Sequence, residues 1–131
     1  MPAIAHAGLV VTAGMTPRSG GVLRHRGHVG SDLTVEEARD AAALAVGNAL
    51  SAALAALPAG QRLDRVLRLV VYVNAAPGFA EHTAVADGAS ARLRELLGDR
   101  GEAARSAIGV ASLPGGAAVE LELTCAYAPE E

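Results

Sequence analysis

The residues best suited to chemistry lie in the last third of the chain: one arginine, Arg105, and two glutamates, Glu120 and Glu122. Arginine carries a permanent positive charge, and glutamate carries a carboxylate that can take part in acid–base chemistry. Glu120 and Glu122 are two residues apart, so they share one face of any strand that carries them. A fixed cation near carboxylates on a rigid sheet is where we expect any chemistry.

Two predicted strands joined by a tight turn position these three side chains. Residues on both sides of Pro114 and Gly115 alternate in polarity, and Pro-Gly suits the central positions of a type II turn. We therefore expect a hairpin with Arg105 at its mouth. Taken alone, Arg105 also fits a surface arginine at the start of a strand, and Glu120 a solvated strand face.

The rest of the chain supplies two further predicted strands, two helices and one long apolar strand. Residues 8–14 and 22–25 are expected to pair as a first hairpin. A capping box at Thr34 and Glu37 begins a helix that Pro58 ends. A second helical region covers residues 79–97, with Gly98 as its C-terminal cap.

Residues 63–74 form the strongest predicted strand, and both of its faces are mostly apolar. Strict alternation places Leu67 with Leu69 on one face and Val66 with Val70 on the other. Two helices can cover only one face of such a sheet. We therefore expect an α+β domain of ββαβαββ order whose open face is covered by other copies in a closed ring, with small-molecule clefts between subunits.

Composition limits the function classes. The 131 residues predict one domain, 1–131, and a net charge of −3 with 2% aromatic residues argues against a nucleic-acid partner. The lone Cys125 falls in an apolar strand register, which predicts a buried, inert thiol. His25 and His28 are too few for a zinc site, so no metal is expected. No signal peptide or membrane span is evident, which predicts a soluble, cytoplasmic protein.

Three stretches give the chain a resemblance to the Rid (reactive intermediate deaminase, YjgF-like) family. They are LVVTAGMTP at residues 9–17, VLRLVVYVN at 66–74 with Phe79, and ARS at 104–106 with LP at 113–114 and VELE at 119–122. The resemblance implies a chorismate-mutase-like fold assembled as a homotrimer. It also implies a cofactor-free hydrolase, an imine deaminase that converts small enamine or imine carboxylates such as 2-aminoacrylate to a keto acid and ammonia.

The resemblance also implies roles for single residues. Arg105 would clamp the substrate carboxylate, the backbone N–H of Ala107 would help to bind it, and Glu120 would place the attacking water. Gly14 lies in the segment that meets substrate, although Ala13 replaces the family's usual serine there. Thr83 stands where the family has an asparagine, and the family's N-terminal Gly-Pro-Tyr segment has no counterpart.

These departures leave alternatives to deamination. The chain could be a trimeric metabolite-binding or regulatory protein that uses the same cleft without turnover. Ribonuclease activity is a third possibility, and the acidic charge and scarce aromatic residues disfavour it. A larger substrate in a biosynthetic pathway is a fourth.

Overall fold

A computed structural model describes all 131 residues as seven strands and two α-helices. In chain order these are β1 (Ala3–His6), β2 (Leu9–Thr12), β3 (Arg18–Ser19), β4 (Val22–Leu23), α1 (Val35–Ala55), β5 (Gln61–Asn74), α2 (His82–Leu97), β6 (Ala104–Val110) and β7 (Val119–Pro129). Five strands form the main sheet in the order β1-β2-β7-β5-β6, and β3 pairs with β4 separately. The strands of the main sheet and the two helices follow the predicted ββαβαββ order.

The local sequence explains where α1 begins and where α2 ends. The Thr34 hydroxyl accepts the Glu37 N–H at 3.1 Å, and the Glu37 carboxylate accepts the Thr34 N–H at 3.1 Å. This reciprocal pair confirms the predicted capping box and satisfies two N–H groups that the first turn leaves free. At the end of α2, Gly98 adopts a φ of 60°, which glycine accommodates without a Cβ clash.

The predicted hairpin between β6 and β7 is wrong. β6 runs parallel to β5 on one edge, while β7 runs antiparallel to β5 on the other edge, so β5 separates them. The connection between Val110 and Val119 crosses the end of β5, a gap of two strand spacings or about 10 Å. Gly115 does have the expected positive φ of 66° in its turn. Alternation around a tight turn therefore did not distinguish adjacent strands from strands that flank a third.

The predicted first hairpin is also wrong. β2 pairs with β1 and with β7, whereas Val22 and Leu23 pair only with Ser19 and Arg18. A two-residue turn joins β1 to β2, and its residues Ala7 and Gly8 have φ values of 50° and 87°. Positive φ at both positions matches a type I′ turn, whose twist suits a hairpin. Ala7 is not a residue that usually marks such a turn, so the sequence hid this strand pair.

Two bulges alter the expected faces of β5. Its register with β7 shifts between Leu63 and Arg65 and again between Val66 and Arg68. Val66 consequently joins Leu69 in the core with 0% exposure, and Leu67 is 39% exposed. The prediction that grouped Leu67 with Leu69 is wrong, because each bulge adds one residue and reverses the alternation.

One buried cluster lies between the sheet and the two helices. Alanines of α1 pack on apolar residues of β5 and β7, and Val85, Ala89 and Leu93 of α2 complete the cluster. Gly88 of α2 lies against the backbone of Arg39 of α1 where the two helices cross. The approach is so close that a Cβ at position 88 would overlap the Arg39 carbonyl. Both helices thus lie on one face of the sheet, as predicted.

Neither α1 nor α2 has the length and apolar character that a membrane-spanning helix requires.

The opposite face of the sheet, here called the open face, has no helix over it. Ile4, Leu9, Val11 and Ile108 are each 42–58% exposed there. Their cross-strand partners and register place them opposite the buried residues of the same strands. This surface is apolar at its edges and polar at its centre, where Glu120 and Glu122 lie.

Candidate functional site

Arg105 lies at the start of β6, and its side chain is directed toward α2. Its cross-strand neighbour is Leu69, which is 1% exposed beneath the helices, so Arg105 shares the helix-covered face of the sheet. Its Nη1 atom donates to the Asp87 carboxylate at 2.9 Å and to the Ser90 hydroxyl at 3.0 Å. The side chain is 24% exposed, against 54% for Asp87. The guanidinium is therefore held in place by α2.

The two contacts of Arg105 use only one of its three nitrogens. Nε and Nη2 make no hydrogen bond or ion pair within the protein. These two atoms form the side-on edge of the guanidinium, which can receive both oxygens of a carboxylate. Because Asp87 and Ser90 reduce the rotational freedom of the side chain, binding an acid there costs less conformational entropy.

An open cavity of about 620 Å³ adjoins Arg105. It is bounded by α2, by the start of β6 and by Arg39 of α1, and only three of its ten lining residues are hydrophobic. Two acidic residues, Asp87 and Glu102, and a third arginine, Arg94, also line it. Arg94 forms an ion pair with Glu102. The cavity is suited to a polar ligand.

Glu120 lies on the open face, away from Arg105. Its neighbour across the β7–β5 ladder is Tyr72, and on the other side a Cβ at Gly14 would overlap its carboxylate. Glycine at position 14 therefore leaves the room that Glu120 occupies. Glu122 is next along the same face and accepts the Tyr72 hydroxyl at 3.1 Å.

The charges of the open face affect the Tyr72 phenol. The hydrogen bond to Glu122 raises the pKa of Tyr72 above its ordinary 10.0, and burial and the nearby glutamate charges act in the same direction. Arg68 opposes them, and its Nη2 also donates to the Ser106 hydroxyl at 2.6 Å. The centre of this face is thus a hydrogen-bonded patch whose phenol stays neutral.

The predicted site residues fall into two groups separated by the sheet. Arg105 and Ala107 are on the helix-covered face of β6, and Thr83 is exposed in the first turn of α2 on that side. Glu120 and Gly14 are together on the open face. The structure thus unites Arg105 with Ala107, and Glu120 with Gly14, and it separates the two pairs within one protomer.

Sequence reasoning missed three residues that surround Arg105: Arg39, Asp87 and Ser90. Asp87 and Ser90 are three residues apart on α2, a spacing that puts both side chains on one helix face. That spacing is common in helices, and only the β5–α2–β6 crossover brings it against Arg105. Arg39 precedes Gln61, the first residue of this unit, by 22 positions, so its place in the cavity is a purely tertiary fact.

Two further potentially reactive side chains are His28, which makes polar contacts, and Cys125, which is buried. His28 contacts the Ala111 carbonyl at 3.1 Å and the Asp32 carboxylate at 3.6 Å. Cys125 is buried, as predicted, and burial raises the pKa of its thiol to about 11. No group of three or more His, Cys, Asp or Glu side chains is arranged to hold a metal ion.

Comparison with known proteins decides the family. The model described as YjgF/chorismate_mutase-like, putative endoribonuclease matches residues 2–123. The chain belongs to this family. The predicted resemblance to Rid, or YjgF-like, proteins and the predicted chorismate-mutase-like α+β fold are both confirmed.

Similar proteins come from distant organisms. The chain is 43% identical over 97 residues to Protein TCP17 of Trypanosoma cruzi, a match that covers 73% of this chain and 61% of that protein. The chain therefore spans less than two thirds of the length of this curated relative. The fold of the present chain is similar to that of the protein Atu1372 from Agrobacterium tumefaciens, with a TM-score of 0.88 and 34% sequence identity. The match covers 96% of this chain and 80% of Atu1372.

A second similar solved structure is that of a protein from Shewanella oneidensis described as a putative endoribonuclease. It is 28% identical, with a TM-score of 0.90, and the match covers 96% of this chain and 83% of that one. The fold of the family is thus kept over nearly the whole length described here.

Proposed function

We propose that this YjgF-like protein hydrolyses small enamine or imine carboxylates to a keto acid and ammonia without a cofactor. The observation that carries the proposal is the state of Arg105. Asp87 and Ser90 hold its Nη1 atom, while its Nε and Nη2 atoms have no protein partner. A guanidinium fixed at one end and unbonded at its side-on edge is suited to a bidentate carboxylate.

The chemistry requires little beyond positioning. An enamine such as 2-aminoacrylate first tautomerises to the imine, as its terminal carbon gains a proton and its nitrogen gives one up. Water then adds to the electrophilic imine carbon to form a carbinolamine with a new C–O bond. As the C–N bond breaks, the hydroxyl proton passes to the nitrogen, which leaves as ammonia, and a keto acid remains. Holding the acid on Arg105 and on the backbone N–H of Ala107 places the imine carbon for a delivered water, which converts a bimolecular step into an effectively unimolecular one.

Glu120 is proposed to orient that water, and this role requires a second copy of the chain. Within one protomer the sheet lies between Glu120 and Arg105. β6 is the edge of the sheet, and the open face bearing Glu120 is partly apolar. If the β6 edge of one subunit lies along the open face of the next in a homotrimer, Arg105 and Glu120 from different subunits meet in one cleft.

The test compares turnover of freshly generated 2-aminoacrylate by wild type and two variants. Arg105→Ala is expected to lower kcat/KM by about 100-fold or more, because the bidentate clamp loses two charge-assisted hydrogen bonds that contribute about 1.5–3 kcal/mol each. Arg92→Ala is the matched control, since Arg92 is an exposed arginine of α2 paired only with Glu95. Wild-type turnover no faster than that of Arg105→Ala would refute the proposal.

The second candidate function is metabolite binding or regulation without turnover. It is favoured by the separation of Arg105 from Glu120 within the protomer and by Ala13 in place of a hydroxyl residue. Calorimetry would then show a keto acid binding to wild type and not to Arg105→Ala. Long incubation with the imine would give no product above the uncatalysed rate.

A further inference from the structure

The cavity beside Arg105 is larger than a three-carbon acid needs. Its volume is about 620 Å³, within the range of about 300–1,000 Å³ that is typical of sites for drug-sized ligands. Arg105 occupies one part of its lining, and Arg39 of α1 occupies another. A three-carbon acid that is bound only by Arg105 would leave most of this cavity to water.

The charges that line the cavity do not balance. Asp87 is paired with Arg105, and Glu102 is paired with Arg94. Arg39 has no acidic partner. The cavity therefore contains one guanidinium more than it has carboxylates.

Arg39 is also held in position. It is half-buried, and its Nη1 atom donates to the backbone carbonyl of Ala84 at 3.1 Å. The backbone of Arg39 packs directly on Gly88 at the crossing of the helices, so α1 cannot slide relative to α2 without a clash. A partly desolvated cation with its position set by backbone contacts is a preorganised site for an anion.

We propose that the ligand of this cavity carries two anionic groups: one held by Arg105 and the second by Arg39. The substrate class is then an amino or imino acid whose side chain ends in a carboxylate or a phosphate-like group. This inference rests on the proposed function only for the role of Arg105 as the first anchor. Arg39 is a residue that determines specificity, and it takes no part in breaking the C–N bond.

The test is equilibrium binding of three keto acids of matched length, measured by calorimetry. 2-Oxopentanoate carries one anionic group, 2-oxoglutarate adds a terminal carboxylate, and 4-phosphono-2-oxobutanoate adds a terminal phosphonate. Wild type is expected to bind at least one dianion about 10-fold more tightly than 2-oxopentanoate, equivalent to about 1.4 kcal/mol. The tighter of the two dianions identifies the chemistry of the second group.

Variants assign the preference to Arg39. Arg39→Gln is expected to remove the preference for the dianion and to leave binding of 2-oxopentanoate unchanged, whereas Arg105→Gln weakens all three ligands. Arg92→Gln should change nothing. Equal affinity of wild type for mono- and dianions, or an unchanged preference in Arg39→Gln, would overturn the inference.

If Arg39→Gln does not fold, the ratio of the affinities of wild type for the dianions and for 2-oxopentanoate is still decisive. Arg39→Lys, which keeps the positive charge, should then retain part of the preference for the dianion. The result is also separable from the deaminase proposal. A protein that prefers dianions and turns over no imine would uphold the Arg39 site and refute the activity. A protein that turns over the imine and shows no preference for dianions would uphold the deaminase activity and refute the Arg39 site.

Discussion

Arg105 is placed by its neighbours on α2. In the ion pair between Arg105 and Asp87, the Asp87 side chain is more than half exposed. The pair therefore contributes only about 0.2–1 kcal/mol to the free energy of unfolding. Its greater effect is geometric, since it directs the Nε and Nη2 edge away from the helix. Loss of activity in an Arg105 variant would therefore report on ligand binding, because the fold depends little on this pair.

Tyr72 supplies a prediction about pH. The hydrogen bond to Glu122 raises the pKa of Tyr72, so its contribution to stability is present below pH 10.0 and is lost as the pH rises through the native pKa. In an ultraviolet titration of the folded protein, Tyr72 should ionise above the ordinary value. Glu122→Gln should lower the pKa of Tyr72, and Tyr72→Phe should leave only the Tyr127 transition. An unchanged titration in Glu122→Gln would contradict the assignment.

Cys125 supplies a prediction about reactivity. Burial raises the pKa of its thiol to about 11 and excludes reagents, so the native protein should react very slowly with a disulfide reagent at neutral pH. Unfolding in urea should expose one rapidly reacting thiol per chain. Fast labelling without denaturant would show that β7 opens readily or that the thiol is accessible.

Among the elements, the two helices depend on one close approach. α1 is lined with alanine, and Gly88 of α2 allows the Arg39 backbone to touch the second helix. This contact packs the helices tightly with small side chains. It also fixes Arg39, so the cavity and the helix crossing share one structural cause.

Two glycine substitutions test this close approach. Gly88→Ala should destabilise the protein by about 1–3 kcal/mol despite the better helix propensity of alanine, because the new methyl overlaps the Arg39 backbone. Gly47→Ala in α1 is the matched control, since apart from the neighbouring backbone of its own helix no atom lies within 4 Å of the added Cβ. It should stabilise by about 0.5–1 kcal/mol. Urea unfolding of both variants measures the difference, and a stabilised Gly88→Ala would show that the helices separate easily.

For the whole molecule, the decisive feature is the open face of the sheet. Helices cover one face, and the other exposes Ile4, Leu9, Val11 and Ile108 around the patch of Glu120 and Tyr72. A monomer that leaves such residues in water gives up hydrophobic stabilisation at about 25 cal/mol per Å². The homotrimer proposed above would cover this surface and bring Glu120 toward a neighbour's Arg105.

Ile108 tests the assembly. Light scattering should give wild type a mass near three times its 13.1 kDa, and Ile108→Glu should shift the protein toward the monomer because a charge would be buried between subunits. Leu96→Glu is the control, since Leu96 is similarly exposed at 43% but lies on α2. A monomeric wild type would refute the trimer and the shared cleft together.

The sequence by itself determined the features that depend on neighbouring residues. The capping box of Thr34 and Glu37, the apolar strand before Asn74 and the end of α2 at Gly98 follow from spacing, burial pattern and backbone preference. The family followed from three short motifs kept in order along the chain. Arg105 was selected as a carboxylate-binding candidate through the third of these motifs, and its role in binding stays a prediction.

Only the tertiary structure decided which strands pair and which face each side chain occupies. The alternation of apolar and polar residues identifies a strand and its two faces, but it does not indicate which other strand that strand will pair with. The sequence therefore could not predict that β6 and β7 lie on opposite sides of β5. Bulges in β5 then exchanged the faces of Val66 and Leu67. For the same reason, the separation of Arg105 from Glu120 and the placing of Arg39 and Arg105 around one cavity depend on long-range packing that local residue patterns do not encode.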